Sequence, residues 1–142
     1  MILYSSVDDI PQPIQTNYSV ELNNDSQKCS HLNSRRQNYY YEAFEINVHT
    51  SGYYFISTTS NFSTSGYLYK HYFDPYNPEQ NLLYKTNRGS SVEHFKTIYL
   101  ELDIMYTLVI TSSIDVENAQ GLVLVTIYGT DKIFMNKIGK NY

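Results

Sequence analysis

The chain has no tryptophan and one cysteine, and only 17% of its 142 residues are charged. The single cysteine, Cys29, excludes an internal disulfide framework. It reads as a small strand or loop residue, or as a cross-link between two chains in a secreted setting. There is no excess of positive charge: the net charge is −4 and the pI about 5.4, which argues against a phosphate-binding face and so against nucleic acid as a partner. No apolar run approaches the roughly 18 residues of a membrane helix, so no membrane insertion is expected. Met1 to Ile10 has neither a basic n-region nor an apolar h-region, so the expectation is a cytosolic protein or a mature or internal segment of a longer precursor.

What replaces charge is uncharged polarity. There are 16 tyrosines, 15 serines, 11 threonines and 13 asparagines, more than a third of the chain. A surface of this kind suits contact with other copies, with sugars or with a substratum, although tyrosine and threonine also favour strands for local reasons alone. With 42% hydrophobic residues, the chain has enough apolar material for one buried core.

Helical periodicity is almost absent, and period-two alternation recurs. Ile14, Thr16, Tyr18, Val20 and Leu22 share one face, with Gln15, Asn17, Ser19 and Glu21 on the other. Residues 23–38 are polar and read as loop, with room for one short strand. Tyr40, Phe44, Ile46 and Val48 alternate next; a turn at Thr50-Ser51-Gly52 leads to a strand over Tyr53–Thr58, and the pair predicts a hairpin. Gly66 opens a strand through Tyr67-Leu68-Tyr69. The prolines of Asp74-Pro75-Tyr76-Asn77-Pro78 mark a loop, and Leu82-Leu83-Tyr84 is a short strand. Phe95–Leu102 and Tyr106–Thr111 flank a tight turn at 102–105. Residues 113–120 form a polar loop, and Leu122–Tyr128, the most apolar run, reads as a central strand.

Short strands separated by turns predict an all-β fold, an antiparallel β-sandwich of jelly-roll or Ig-like type with extended terminal tails. The expected organisation is an N-terminal tail over 1–15, carrying Pro11 and Pro13, a sandwich over 16–129 and a C-terminal tail over 130–142.

Two stretches are distinctive. One is Asn38-Tyr39-Tyr40-Tyr41-Glu42-Ala43-Phe44-Glu45-Ile46-Asn47-Val48, followed by Thr50-Ser51-Gly52-Tyr53-Tyr54. The other is Gly66-Tyr67-Leu68-Tyr69, then Phe73-Asp74-Pro75-Tyr76-Asn77-Pro78-Glu79-Gln80-Asn81-Leu82-Leu83. With Thr97–Leu100 and Tyr106–Thr111, they resemble tandem β-sandwich repeats in large secreted or surface proteins of rotifers and similar small aquatic eukaryotes. Those repeats are in turn similar to bacterial pre-peptidase C-terminal domains. The resemblance spans roughly residues 18–129 and implies a sandwich fold and an extracellular or cell-surface location. Related repeats carry an acidic loop suited to calcium after the Asn-Leu-Leu element. Here that segment is Tyr84-Lys85-Thr86-Asn87-Arg88-Gly89-Ser90-Ser91, with two positive charges and no carboxylate, so no calcium is expected there.

No catalytic constellation is visible, so no enzyme activity, metal or cofactor is expected. His31, His49, His71 and His94 lack metal-ligand spacing, Cys29 and His31 lack an orienting third group, and Asp8-Asp9 reads as a solvated pair. Asn17, Asn24 and Asn61 begin N-glycosylation sequons, about the number that this composition yields by chance. They gain meaning only from the extracellular resemblance, which makes covalent N-glycans expected partners.

Three functions follow as expectations, of which the third, an accessory domain of a secreted enzyme, rests only on the similarity to the bacterial domains. The first is a structural subunit that assembles with other copies into a filament or surface coat. A tail from one copy would pair with a sheet edge of the next, anchored by Ile2, Tyr4 and Val7 or by Ile133, Phe134 and Ile138. Fifteen extended residues reach up to about 50 Å, enough to cross a neighbour. The second is a carbohydrate-binding or adhesive module, with Tyr67, Tyr69, Tyr72 and Tyr76 as stacking platforms beside Asp74, Asn77 and Asn81.

Overall fold

A computed structural model describes residues 13–29, 39–86, 92–94, 97–112 and 120–138. These form eleven strands: β1 (Ile14–Leu22), β2 (Gln27–Cys29), β3 (Tyr39–Val48), β4 (Gly52–Ser60), β5 (Thr64–Lys70), β6 (Leu82–Lys85), β7 (Val92–His94), β8 (Ile98–Leu100), β9 (Tyr106–Ser112), β10 (Gly121–Gly129) and β11 (Ile133–Lys137). The expected all-β fold is present. One antiparallel sheet runs β1-β10-β4-β7, with β8 also on β4; the other runs β11-β3-β9-β5-β6, with β2 also on β3. The two pack face to face as a sandwich.

The inner faces follow the alternation read from the sequence. From the first sheet come Val20 and Leu22 (β1), Tyr54 and Ile56 (β4), and Val123, Val125 and Ile127 (β10). The second contributes Phe44, Ile46, Val48, Leu68, Leu108, Ile110 and Ile133. The β1 phase is as expected, with Gln15, Asn17, Ser19 and Glu21 turned outward and exposed. So is the position of Leu122–Tyr128, which lies in β10 between β1 and β4.

Two expectations are corrected, and the connection across the tight turn at 102–105 proves to be a crossing between sheets. The strands on either side of Thr50-Ser51-Gly52 do not form a hairpin: β3 lies in one sheet and β4 in the other. The reason is occupancy, because Phe44–Ile46 are already paired with β9 on one side and Phe44–Val48 with β11 on the other. With both hydrogen-bonding edges taken, the chain can continue only by crossing to the facing sheet. Likewise β8 and β9 are not a hairpin; β8 pairs with Gly52–Tyr54 of β4, while β9 sits between β3 and β5. Finally, the sandwich does not end at 129, because β11 is an integral edge strand whose Ile133 is in the core.

Candidate functional site

The outer face of the β3–β9–β5 sheet is not open to water. Tyr41, Ala43, Tyr69 and Val109 form a second apolar cluster there, and Tyr67, Phe73, Leu82 and Ile138 pack against it. The roof is the β5–β6 connection, residues 71–81. Its Phe73 ring meets Tyr41 edge-on at 5.3 Å and Tyr69 at 4.9 Å between centroids. Local sequence shapes this loop. Asp74 Oδ1 accepts from the Tyr76 amide at 2.9 Å, and the Asn77 and Gln80 amides close successive turns. His71 and Asn81 adopt positive φ at its two ends, and Lys70 N donates to Asn81 O across its neck. The Tyr69 hydroxyl donates to Pro78 O at 2.6 Å, which ties the strand to the roof.

Between this loop and β2, β3 and β9 lies a cleft of about 590 Å³. Phe73, Tyr41, Ala43 and Ile138 supply apolar walls, and Gln27, Asp74 and Thr107 supply polar groups. Tyr72 and Tyr76 stand at its mouth, 62% and 80% exposed.

The structure therefore divides the residues expected to contact sugar. Tyr72, Asp74 and Tyr76 come together at the cleft. Tyr69 is fully buried under Phe73 and is corrected to a core residue; Tyr67 packs beside it. Asn77 is exposed but spends its amide on Gln80 Oε1 at 3.2 Å, and Asn81 Nδ2 donates to Tyr72 O. Periodicity alone did not point to Gln27, Tyr41, Thr107 or Ile138. The available signal was the run Tyr39-Tyr40-Tyr41, apolar in both phases, which marks a strand covered on both faces.

A second surface lies on the opposite side of the molecule. The outward phase of β10 carries Leu122, Leu124 and Tyr128, all exposed, and Tyr128 pairs in register with Phe55 of β4. Beside it Tyr53 faces Tyr99 of β8, with ring centroids 5.1 Å apart. Pro13, Phe55, Thr97 and Tyr128 help to line a shallow hollow of about 500 Å³ at this end of the sheet. Among the described strand side chains of this face, Glu21 alone is charged. Along its edge, β1 pairs with β10 over all nine residues and has no strand on its other side among the described residues.

Of the expected assembly residues, Ile133 is buried in the chain's own core and is corrected to a core role. Phe134 is 45% exposed and stacks on His49, and Ile138 packs into the second cluster. Ile2, Tyr4 and Val7 lie outside the described residues, as do His31, Asp8-Asp9 and the stretch 87–91 of the loop compared with calcium-binding repeats. Asn17, Asn24 and Asn61 are all exposed, so each sequon is sterically accessible.

Among the described residues, charged groups with named partners stand at two points. At the rim of the sandwich Glu42 is buried, and its carboxylate accepts from Ser26 Oγ at 2.9 Å and meets Lys137 Nζ at 3.3 Å. At the β3–β4 corner, Asp131 Oδ1 accepts from Lys132 N at 2.7 Å and Oδ2 accepts from Thr50 Oγ1 at 2.9 Å. These bonds hold the Asp131 carboxyl below its ordinary range. The nearby Tyr54 phenol is pushed up, first by burial and then by the Asp131 charge.

No protein-family model matches this chain, and a comparison with curated proteins likewise gives no match.

Proposed function

We propose that the chain is an extracellular structural subunit that assembles with copies of itself into a filament or surface coat, through the β1 edge and the tyrosine-rich face beside it. One observation carries this reading: a nine-residue edge strand with a single charge, Glu21, borders an outward face that exposes Leu122, Leu124, Tyr53 and Tyr99. Sandwich proteins that stay separate usually blunt such an edge with lysine, proline or a bulge. β1 has none of these along Ile14–Leu22. The resemblance to secreted repeats supports the location.

The pairing of β11 with β3 supports an N-terminal rather than a C-terminal donor. Ile133–Lys137 already pairs with β3, so donating it would empty the chain's own sheet and core. The N-terminal segment 1–12 is the better donor, with Ile2, Tyr4 and Val7 as anchors. Asn17 points outward from the middle of β1, where it pairs with Thr126. A glycan there would stand in the contact, so assembly requires Asn17 to be bare, while glycans on Asn24 and Asn61 are compatible with it.

The test is sedimentation and negative-stain electron microscopy of the full chain. Regular multimers are expected, and they disappear with Leu124→Lys and with deletion of residues 1–12. A full chain that remains monomeric at millimolar concentration overturns the proposal.

A further inference from the structure

From the cleft beneath the β5–β6 loop we infer a second function, the binding of a neutral saccharide, with Tyr76 and Tyr72 as stacking faces and Asp74 and Gln27 as hydrogen-bonding partners.

The argument begins with what the loop buries and what it leaves out. It turns Phe73 inward onto Tyr41 and Tyr69, yet leaves the Tyr76 ring 80% exposed. Exposing a large ring on a mobile loop would be unremarkable, but here the backbone around it is held. Pro75 fixes φ, Asp74 Oδ1 accepts the Tyr76 amide, and Asn81 Nδ2 donates to the Tyr72 carbonyl. Tyrosine adds large contact area at little conformational cost, because only two side-chain torsions must be ordered. Two rings on a braced loop are therefore ready to bind before a ligand arrives.

The polar groups choose the class of ligand. Asp74 commits one carboxylate oxygen to the loop, and its Oδ2 has no partner among the described residues. Gln27 Oε1 accepts from the Tyr41 hydroxyl at 3.0 Å, which orients the amide, and its Nε2 donors have no partner among the described residues. An acceptor and a pair of donors lining one cleft suit sugar hydroxyl groups, each of which both donates and accepts. Asp74 is the only charged group lining the cleft among the described residues, and its charge disfavours an anionic ligand there. The floor is formed by β3 and β9, interior strands whose main-chain groups are already paired, so recognition runs through side chains rather than by strand addition. A volume of about 590 Å³ lies within the usual size of small-ligand sites, roughly 300–1,000 Å³. The cleft lies on the face opposite the β1–β10–β4 surface, so a subunit assembled through that surface still presents it.

The experiment applies the full chain, and separately its Leu124→Lys variant, to an array of neutral oligosaccharides, followed by calorimetric titration of the glycans retained. At least one neutral glycan should bind both chains. Its Kd should rise tenfold or more in Tyr76→Ala and in Asp74→Asn, a change that keeps the loop's acceptor at Oδ1, and stay unchanged in Tyr99→Ala on the far face. Use of the Leu124→Lys chain separates this outcome from any failure of assembly. The inference is overturned if no neutral glycan binds, if only anionic glycans or peptides do, or if Tyr76→Ala leaves the affinity of a bound glycan intact.

Discussion

The ring of Tyr54 lies flat across Gly129. The two are register partners in β4 and β10, and a Cβ built on Gly129 would stand 2.1 Å from Tyr54 Cδ1. The absence of a side chain at 129 is what lets a fully buried tyrosine fit between the sheets at this end. Its hydroxyl then reaches Thr50 O at 2.7 Å and pins the β3–β4 corner.

Gly129→Ala forces that ring aside. The expected cost is about 2 kcal/mol, within the range for overpacking a core. Urea unfolding monitored by tyrosine fluorescence measures it. The penalty should shrink in a Tyr54→Ala background, since the two positions are coupled through one contact. Equal penalties in both backgrounds would disprove the coupling.

The same corner makes stability depend on pH at both extremes. Asp131 has a folded value below its unfolded one, so its contribution is complete above the ordinary carboxylate value of about 3.9 and is lost as pH falls through the lower folded value. Tyr54 has a raised value, so the fold favours the neutral phenol. Its contribution is complete below about pH 10 and is lost as pH rises through the folded value. Asp131→Asn should flatten the acid limb of a stability–pH profile, and Tyr54→Phe the alkaline limb.

Thr58 is 1% exposed on the inner face of β4, and its hydroxyl has no hydrogen-bond partner among the described residues. Thr58→Val replaces that hydroxyl with a methyl of similar size. The expected gain is about 1 kcal/mol, a rise in Tm of roughly 3 °C for a chain of this length. Calorimetry decides it, and a fall in Tm would show that the hydroxyl is satisfied in solution.

Phe73 is the keystone of the second apolar cluster. Phe73→Ala should cost about 2 kcal/mol, less than a fully buried phenylalanine because the ring is only half-buried. It should also uncover Tyr41 and Tyr69, seen as dye binding to newly exposed apolar surface. A variant of unchanged stability would mean that the 71–81 loop does not depend on this ring.

Strand identity was legible because it is a local property. Alternation in Ile14–Leu22 and in Leu122–Tyr128 is visible in a window of a few residues, and both strands bury the phase that alternation selects. The outward face of β10 was also readable, since Leu122 and Leu124 occupy the phase that should be polar. The cleft was half legible. Tyr72, Asp74 and Tyr76 are close in sequence, whereas Gln27, Tyr41, Thr107 and Ile138 are brought to them only by pairing between distant strands.

Most of the extended segments, and the phase in which their side chains alternate, could be read from the chain alone, because backbone propensity and side-chain period act over neighbouring residues; β7 and β11 could not. Which strands share a sheet depends instead on long-range packing. A turn such as Thr50-Ser51-Gly52 suits a hairpin or a corner equally well, and the outcome rests on whether β9 and β11 have already taken the edges of β3. Long-range packing also decided that Tyr69 is core and Tyr76 is surface, although both are tyrosines four residues from Phe73 or nearer. Burial depends on what covers a residue, and the cover here is a loop that folds back over its own strand.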